Sequence, residues 1–119
     1  MKRTLLLTSM LSAAVTFFGL WALGMADLPS TVKLENARVK VTGIVYQPGV
    51  PRERHIRPTD QVIVFLDDCR YQRTDSATGE KTVRERKAGE VIWHSKREDA
   101  PVLVNLDPKP YRTLLIELK

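Results

Sequence analysis

Gln61-Val62-Ile63-Val64-Phe65-Leu66-Asp67-Asp68 is the stretch on which the fold turns. Its apolar run is the length of a strand and too short for a buried helix; Val62, Ile63 and Val64 are β-branched, and two aspartates end it. Apolar side chains at successive positions predict a central strand covered on both sides.

Working upstream, Val32 and Leu34 and then Val39, Val41, Gly43 and Val45 recur at every second position. Period-two alternation predicts half-buried strands. Downstream, residues 69–73 and 82–87 flank a loop, 74–80, of small polar residues with one glycine, so the two segments are predicted to pair as an antiparallel hairpin. Ala88-Gly89 turns the chain into a strand at 90–94, a charged loop follows at 95–99, and another strand is expected at 101–105. In the closing segment, 111–119, Leu114, Ile116 and Leu118 alternate with Thr113, Leu115 and Glu117. Both of its faces carry apolar groups, which predicts a sandwiched strand.

Beyond the N-terminal region no window has sustained helical periodicity, and glycines and prolines other than Gly43 fall between the predicted strands. The expected class is all-β. Seven or eight short strands need a closed barrel or a two-sheet jelly roll, because open edges invite aggregation. Neither an internal repeat nor a second domain boundary is visible.

The first quarter of the 119 residues reads as an address rather than as part of the fold. Lys2 and Arg3 precede an uncharged apolar run over 4–25, and Gly24 and Ala26 stand at positions −3 and −1 of a cleavage site before Asp27. Residues 1–26 are therefore expected to be a signal peptide, sending the chain to the periplasm or the exterior. The alternative is an uncleaved anchor formed by residues 4–25, since about 20 apolar residues span a bilayer; only then is a membrane a partner. Residues 27–37 are expected to supply a tether, starting at 27–31, and the first strand, with the barrel domain at 38–119. Cleavage after Ala26 leaves 93 of the 119 residues, enough to bury roughly two-thirds of the unfolded surface.

Net charge is +5, or +3 once Lys2 and Arg3 are removed, which is too weak to argue for a nucleic-acid partner. The basic clusters at 52–57 and 81–87 are interleaved with acids and lack an aromatic platform, as a solvated strand face would be. The single cysteine, Cys69, has no internal disulfide partner, so it is either buried or bonded to another chain. It ends an apolar run, which favours burial. No Ser-His-Asp or Cys-His arrangement, phosphate-cradling glycine loop or CxxC pair can be read.

Residues 49–68 resemble the first motif of the cupins: glycine, five residues, His-x-His, three residues, glutamate, six residues, glycine. Gly49 fits the first glycine and His55 the first histidine. Arg57 stands where the second histidine belongs, Gln61 takes the glutamate position and Asp68 replaces the closing glycine. The second motif begins at Ala88-Gly89-Glu90-Val91-Ile92-Trp93 and can end at Asn105, but the histidine position between falls on Ala100 or Pro101. The final Pro110-Tyr111-Arg112-Thr113-Leu114-Leu115-Ile116-Glu117-Leu118-Lys119 is similar to the last strand of short single-domain cupins. The resemblance covers about residue 39 to the end and implies a jelly-roll barrel, or double-stranded β-helix.

Cupins generally hold a divalent ion with three histidines and one carboxylate, and many are oxygenases or isomerases through that ion. The departures here argue against inheriting those activities. A guanidinium about 4 Å from a divalent ion costs roughly 8 kcal/mol at an effective dielectric near 20, comparable with a micromolar binding free energy. No resident metal is therefore expected, the alternative being an atypical set built from His55, Gln61 and His94, with Asp60 added if the strand slips by one residue.

Each candidate residue carries two readings. His55 is a pocket group or a leftover histidine hydrogen-bonded inside the barrel. Arg57 captures an anion such as a carboxylate or phosphate, or pairs with a nearby acid. His94 and Asn105 belong to the pocket or its rim, and Tyr46 and Trp93 to core packing. The expected function is a non-catalytic module binding a small, anionic molecule through Arg57, with His55 and Gln61 lining the pocket. The alternatives are a metal-dependent enzyme and an interaction protein acting as a homodimer.

Overall fold

The computed structural model describes residues 28–119. The expected signal peptide, or anchor, lies outside them. Eleven strands occur among the described residues: β1 (Ser30–Glu35), β2 (Val39–Tyr46), β3 (Pro51–Arg52), β4 (His55–Ile56), β5 (Asp60–Phe65), β6 (Cys69–Thr74), β7 (Lys81–Arg86), β8 (Val91–His94), β9 (Asp99–Ala100), β10 (Val102–Asn105) and β11 (Tyr111–Leu118). They contain no helix, as the periodicity predicts. The count exceeds expectation because short pairings form inside segments that read as loops: β4 with β9, and β3 with β10. Strand pairing also begins at Ser30, inside the stretch expected to be tether.

The order β1-β2-β11-β5-β8 makes one sheet, β3-β10-β6-β7 a second, and β4-β9 a third, two-stranded piece. The β6-β7 hairpin pairs antiparallel from Cys69 opposite Arg86 to Thr74 opposite Lys81, as its loop composition predicts. Gly89 turns the chain into β8 with a φ of 93°, a left-handed conformation that suits glycine. Gly43 answers to a different need, since a Cβ there would meet Lys33 Cε at 2.7 Å across the β1-β2 pair.

The core lies between the two larger sheets. Tyr46, Ile63, Phe65 and Tyr111 point inward from the five-stranded sheet and meet Cys69 and Tyr71 from the four-stranded one. Tyr46 stacks on Tyr111 with ring centroids 4.7 Å apart, and Phe65 lies nearly parallel to Tyr71 at 6.4 Å. Cys69 is buried and free, which settles its two readings in favour of burial.

Three expectations need correcting. The central strand of the large sheet is β11, flanked by β2 and β5, while β5 lies beside the edge strand β8. Neither β5 nor β11 is covered on both sides by the described residues: Gln61, Ile63 and Phe65 are buried, whereas Val62 and Val64 are only half-buried. Trp93 is 53% exposed and outside the core. The second and third follow from one feature, an apolar outer face. Leu34, Val41, Ile116, Val62 and Trp93 stand directly opposite one another across all five strands, an unbroken apolar row. The same alternation that buries one face leaves this second apolar set outside, so apolar composition alone overstates coverage.

Candidate functional site

A cavity of about 170 Å³ opens between the sheets. Strand register explains its walls. On the inner face of the five-stranded sheet, Gln61 lies opposite His94, Ile63 opposite Ile92, and Phe65 opposite Thr113, so a polar rung gives way to apolar ones two residues at a time. Across from them, Leu103 faces both Arg52 and Arg73, and Tyr71 faces Arg84. One wall is therefore aliphatic and aromatic, and the opposite wall is rich in guanidinium groups. Arg86 adds its guanidinium 5.6 Å from the centre of the Phe65 ring.

Arg57 enters from the segment between β4 and β5 and is only 4% exposed. Its backbone is clamped on both sides: its N–H donates to the carbonyl of Glu98, and its own carbonyl accepts from the N–H of Arg97. The side chain lines the cavity, and Nη1 donates to Gln61 Oε1 at 3.0 Å. Gln61 is itself 2% exposed and sits behind the guanidinium rather than in the cavity wall. The Arg57 Nε, buried, has no hydrogen-bond partner, and neither does the Arg52 Nε. Loss of hydration, followed by repulsion from Arg52, lowers the Arg57 pKa from its ordinary value.

Of the two readings of Arg57, pairing with a nearby acid is not seen among the described residues. Glu98 and Asp99 line the same cavity, but their oxygens are engaged elsewhere. Glu98 accepts from the Ser95 N–H and contacts His94 Nδ1, while Asp99 accepts from Arg54 and from the Ser76 hydroxyl. These contacts, the Ser95 N–H first for Glu98 and the Ser76 hydroxyl first for Asp99, hold both carboxyls below their usual pKa. Among the described residues, Arg52, Arg57, Arg73 and Arg84 form no ion pair, whereas Arg86 pairs with Glu90 at 3.2 Å. The cavity is a cluster of cations in which Glu98 and Asp99 attract Arg57 from a distance without forming a direct ion pair with it.

The structure brings together Arg57, Gln61 and His94, and separates His55 and Asn105 from them. His55 is exposed, contacts the Glu53 carbonyl at 3.4 Å, and faces a different groove beside Leu28, Ser30 and Ile44. In the two-residue strand β4 its side chain lies outside the barrel, so the order His55-x-Arg57 does not put both groups in one pocket. Asn105 is 3% exposed and structural: Nδ2 donates to the carbonyls of Tyr46 and Lys109, and Oδ1 accepts from the Asp107 N–H. The reading of the basic clusters as solvated faces holds for Arg84, which is exposed, but passes over the cavity-lining role of Arg52, Arg84 and Arg86, while Arg73 lies in neither cluster. The signal was alternation: Arg84 and Arg86 are two apart in β7, and Arg73 is two from the core residue Tyr71.

A wider cleft of about 810 Å³ lies beside the β5-β6 and β10-β11 turns; two of its acids are committed, Asp67 to Arg112 and Asp68 to the Ala88 N–H.

Neither the protein-family models nor the curated proteins yield a match to this sequence. Solved structures do. A cupin domain from Bordetella pertussis Tohama I aligns over 81% of this chain and 99% of its own, with a TM-score of 0.68 and 22% identity. This chain has the cupin fold. A double-stranded β-helix domain protein from Klebsiella pneumoniae aligns over 80% of this chain and 79% of its own, at a TM-score of 0.61 and 18% identity. The polyketide cyclase RemF from Streptomyces resistomycificus aligns over 76% and 64%, at 0.63 and 15%. At these identities the likeness concerns the fold, and the cyclase activity belongs to RemF.

A metal of the kind other cupins carry does not fit the donors present. Gln61 Oε1 already accepts from Arg57, His55 faces another groove, and His94, with Glu98 on Nδ1, offers only Nε2, with the Arg57 guanidinium lining the same cavity. No group of three histidine, cysteine, aspartate or glutamate side chains converges among the described residues.

Proposed function

We propose that this cupin-fold chain is an exported, non-catalytic binding module that holds a small anion in the barrel cavity, with Arg57 as the anchoring group and no resident metal. One observation carries the reading: a guanidinium 4% exposed, hydrogen-bonded to a neutral amide and to no carboxylate. A buried charge is costly unless paired, and an anion brought from solution supplies the missing partner. Arg52, Arg73 and Arg84 reinforce the attraction and steer anions inward. His94 stays neutral near pH 7, because loss of hydration and then the nearby Arg57 outweigh Glu98, and is available as a hydrogen-bonding group.

The test is calorimetric titration of the purified protein with phosphate and with acetate, alongside Arg57→Met, a variant of similar length without the charge. Saturable binding that Arg57→Met abolishes, with far-UV circular dichroism retained, supports the reading. Stoichiometric iron, manganese, nickel or zinc in the purified protein, lost on His94→Ala, overturns it in favour of a metal-dependent enzyme.

Homodimerisation is a compatible second reading, favoured by the row Leu34, Val41, Ile116, Val62 and Trp93. An apolar row of this length, with Lys33 and Arg112 on the same face, suits a second copy of itself in two-fold packing. Light scattering at micromolar concentration is expected to give twice the monomer mass, and Val62→Glu with Trp93→Glu to halve it; a wild-type monomer throughout the range rejects it.

A further inference from the structure

Resting on that reading, we infer that the ligand is an organic acid with a flat apolar body of about one ring, rather than a compact inorganic anion. The two walls of the cavity differ in chemistry. Ile63, Phe65 and Ile92 present an apolar surface from the five-stranded sheet, while Arg52, Arg73 and Arg84 come from the opposite sheet. Successive rungs on one face of a strand are about 7 Å apart. The Arg57–Gln61 contact is therefore one rung from Ile63 and two from Phe65, so a carboxylate beside Arg57 places its attached carbon skeleton over the aliphatic rung. A sulfate- or phosphate-sized ion at the same spot leaves that surface bare.

Size agrees with this assignment. At about 30 Å³ of liquid per water, 170 Å³ corresponds to roughly six waters, more than a compact oxyanion fills and close to a ring bearing one carboxylate. The aromatic rings are engaged with one another and with Arg86, which leaves the aliphatic rung for the ligand's body: Phe65 lies parallel to Tyr71, Arg86 covers Phe65, and the Tyr71 hydroxyl accepts from Arg86 Nε. Burial raises the Tyr111 pKa well above that of a free phenol, so the cavity floor stays neutral and adds no repulsion toward a carboxylate. The cationic wall fixes one end of the ligand, and the apolar wall selects its body.

The experiment titrates the full folded protein with benzoate, acetate and inorganic phosphate at constant ionic strength, and repeats the series with Ile92→Thr and Arg57→Met. Benzoate is expected to bind at least tenfold more tightly than acetate or phosphate. Ile92→Thr should weaken benzoate severalfold while leaving acetate unchanged, and Arg57→Met should remove all three. Acetate or phosphate binding as tightly as benzoate, still dependent on Arg57, overturns the apolar-body assignment and leaves anion binding standing. Benzoate affinity indifferent to Ile92→Thr also overturns it. No binding of any of the three by the native protein overturns both.

Discussion

Arg57 and Gln61, four residues apart in sequence, meet inside the barrel with Nη1 of one 3.0 Å from Oε1 of the other. Both side chains are almost wholly withdrawn from solvent. A neutral amide satisfies one donor of the guanidinium, and Glu98 and Asp99 attract it without pairing directly, which is why an added anion has a direct contact to gain there.

Gln61→Glu should supply the counter-charge internally. The variant is nearly isosteric and converts a neutral hydrogen bond into a charge-assisted one, whose advantage is on the order of 1 kcal/mol after the cost of burying a second charge. The expected outcome is a higher midpoint of thermal unfolding near pH 7 together with loss of anion affinity, measured by calorimetry. A variant that is more stable and still binds anions would show that Arg57 is not the anchor.

Stability should fall as pH drops through the imidazole range. Loss of hydration, then repulsion from Arg57 and Arg52, lowers the His94 pKa from its ordinary 6.5 despite the opposing contact with Glu98. The unfolded chain therefore takes up a proton near 6.5 while the folded chain resists, so full stability holds above that pH and is lost below it until the folded pKa is reached. Urea unfolding between pH 7.5 and 5 should reveal the decline, with a slope of at most about 1.4 kcal/mol per pH unit from this residue. His94→Gln should flatten the curve in this range; Glu98, whose carboxyl pKa is also lowered, adds a loss of stability in the same direction only as pH falls below about 4.5.

Asn105→Ala should cost about 2 to 4 kcal/mol in chemical denaturation. Three hydrogen bonds disappear with the amide, stranding the carbonyls of Tyr46 and Lys109 and the N–H of Asp107. Anion affinity of the folded fraction should be unchanged, since the residue lies outside the cavity. A loss of affinity in folded protein would restore Asn105 to the binding site.

Cys69 should be inert in the native protein. Loss of hydration, then the nearby Asp107, pushes its thiol up to about 11, and the side chain is buried. Thiol-reactive dyes at pH 8 are expected to label it slowly, at a rate that follows unfolding, and at once in urea. Rapid stoichiometric labelling of folded protein would contradict this burial.

The fold was largely legible because strand chemistry is local. The period-two pattern of residues 39–45 and the small polar loop 74–80 place β2 and the β6-β7 hairpin, and Asn105 and Gly89 fall where a cupin motif puts an asparagine and a turn. Legibility stopped where two apolar faces look alike. Trp93 and Ile92 are neighbours that both count as large hydrophobic side chains, yet one faces solvent and the other the core. The site was only half readable for the same reason: His55 and Arg57 share a motif two residues apart, but the chain between β4 and β5 turns one outward and the other in.

By itself the sequence determined an all-β barrel, since alternation, β-branched residues and turn composition act over a few residues at a time. It also determined that a cation stands where a neutral imidazole would favour metal binding. Only tertiary structure decided that this cation forms no ion pair among the described residues and shares its cavity with Arg52, Arg73 and Arg84, brought from β3, β6 and β7. Charge compensation depends on which side chains converge across the barrel and which acids are already engaged, and neither is written in residue spacing.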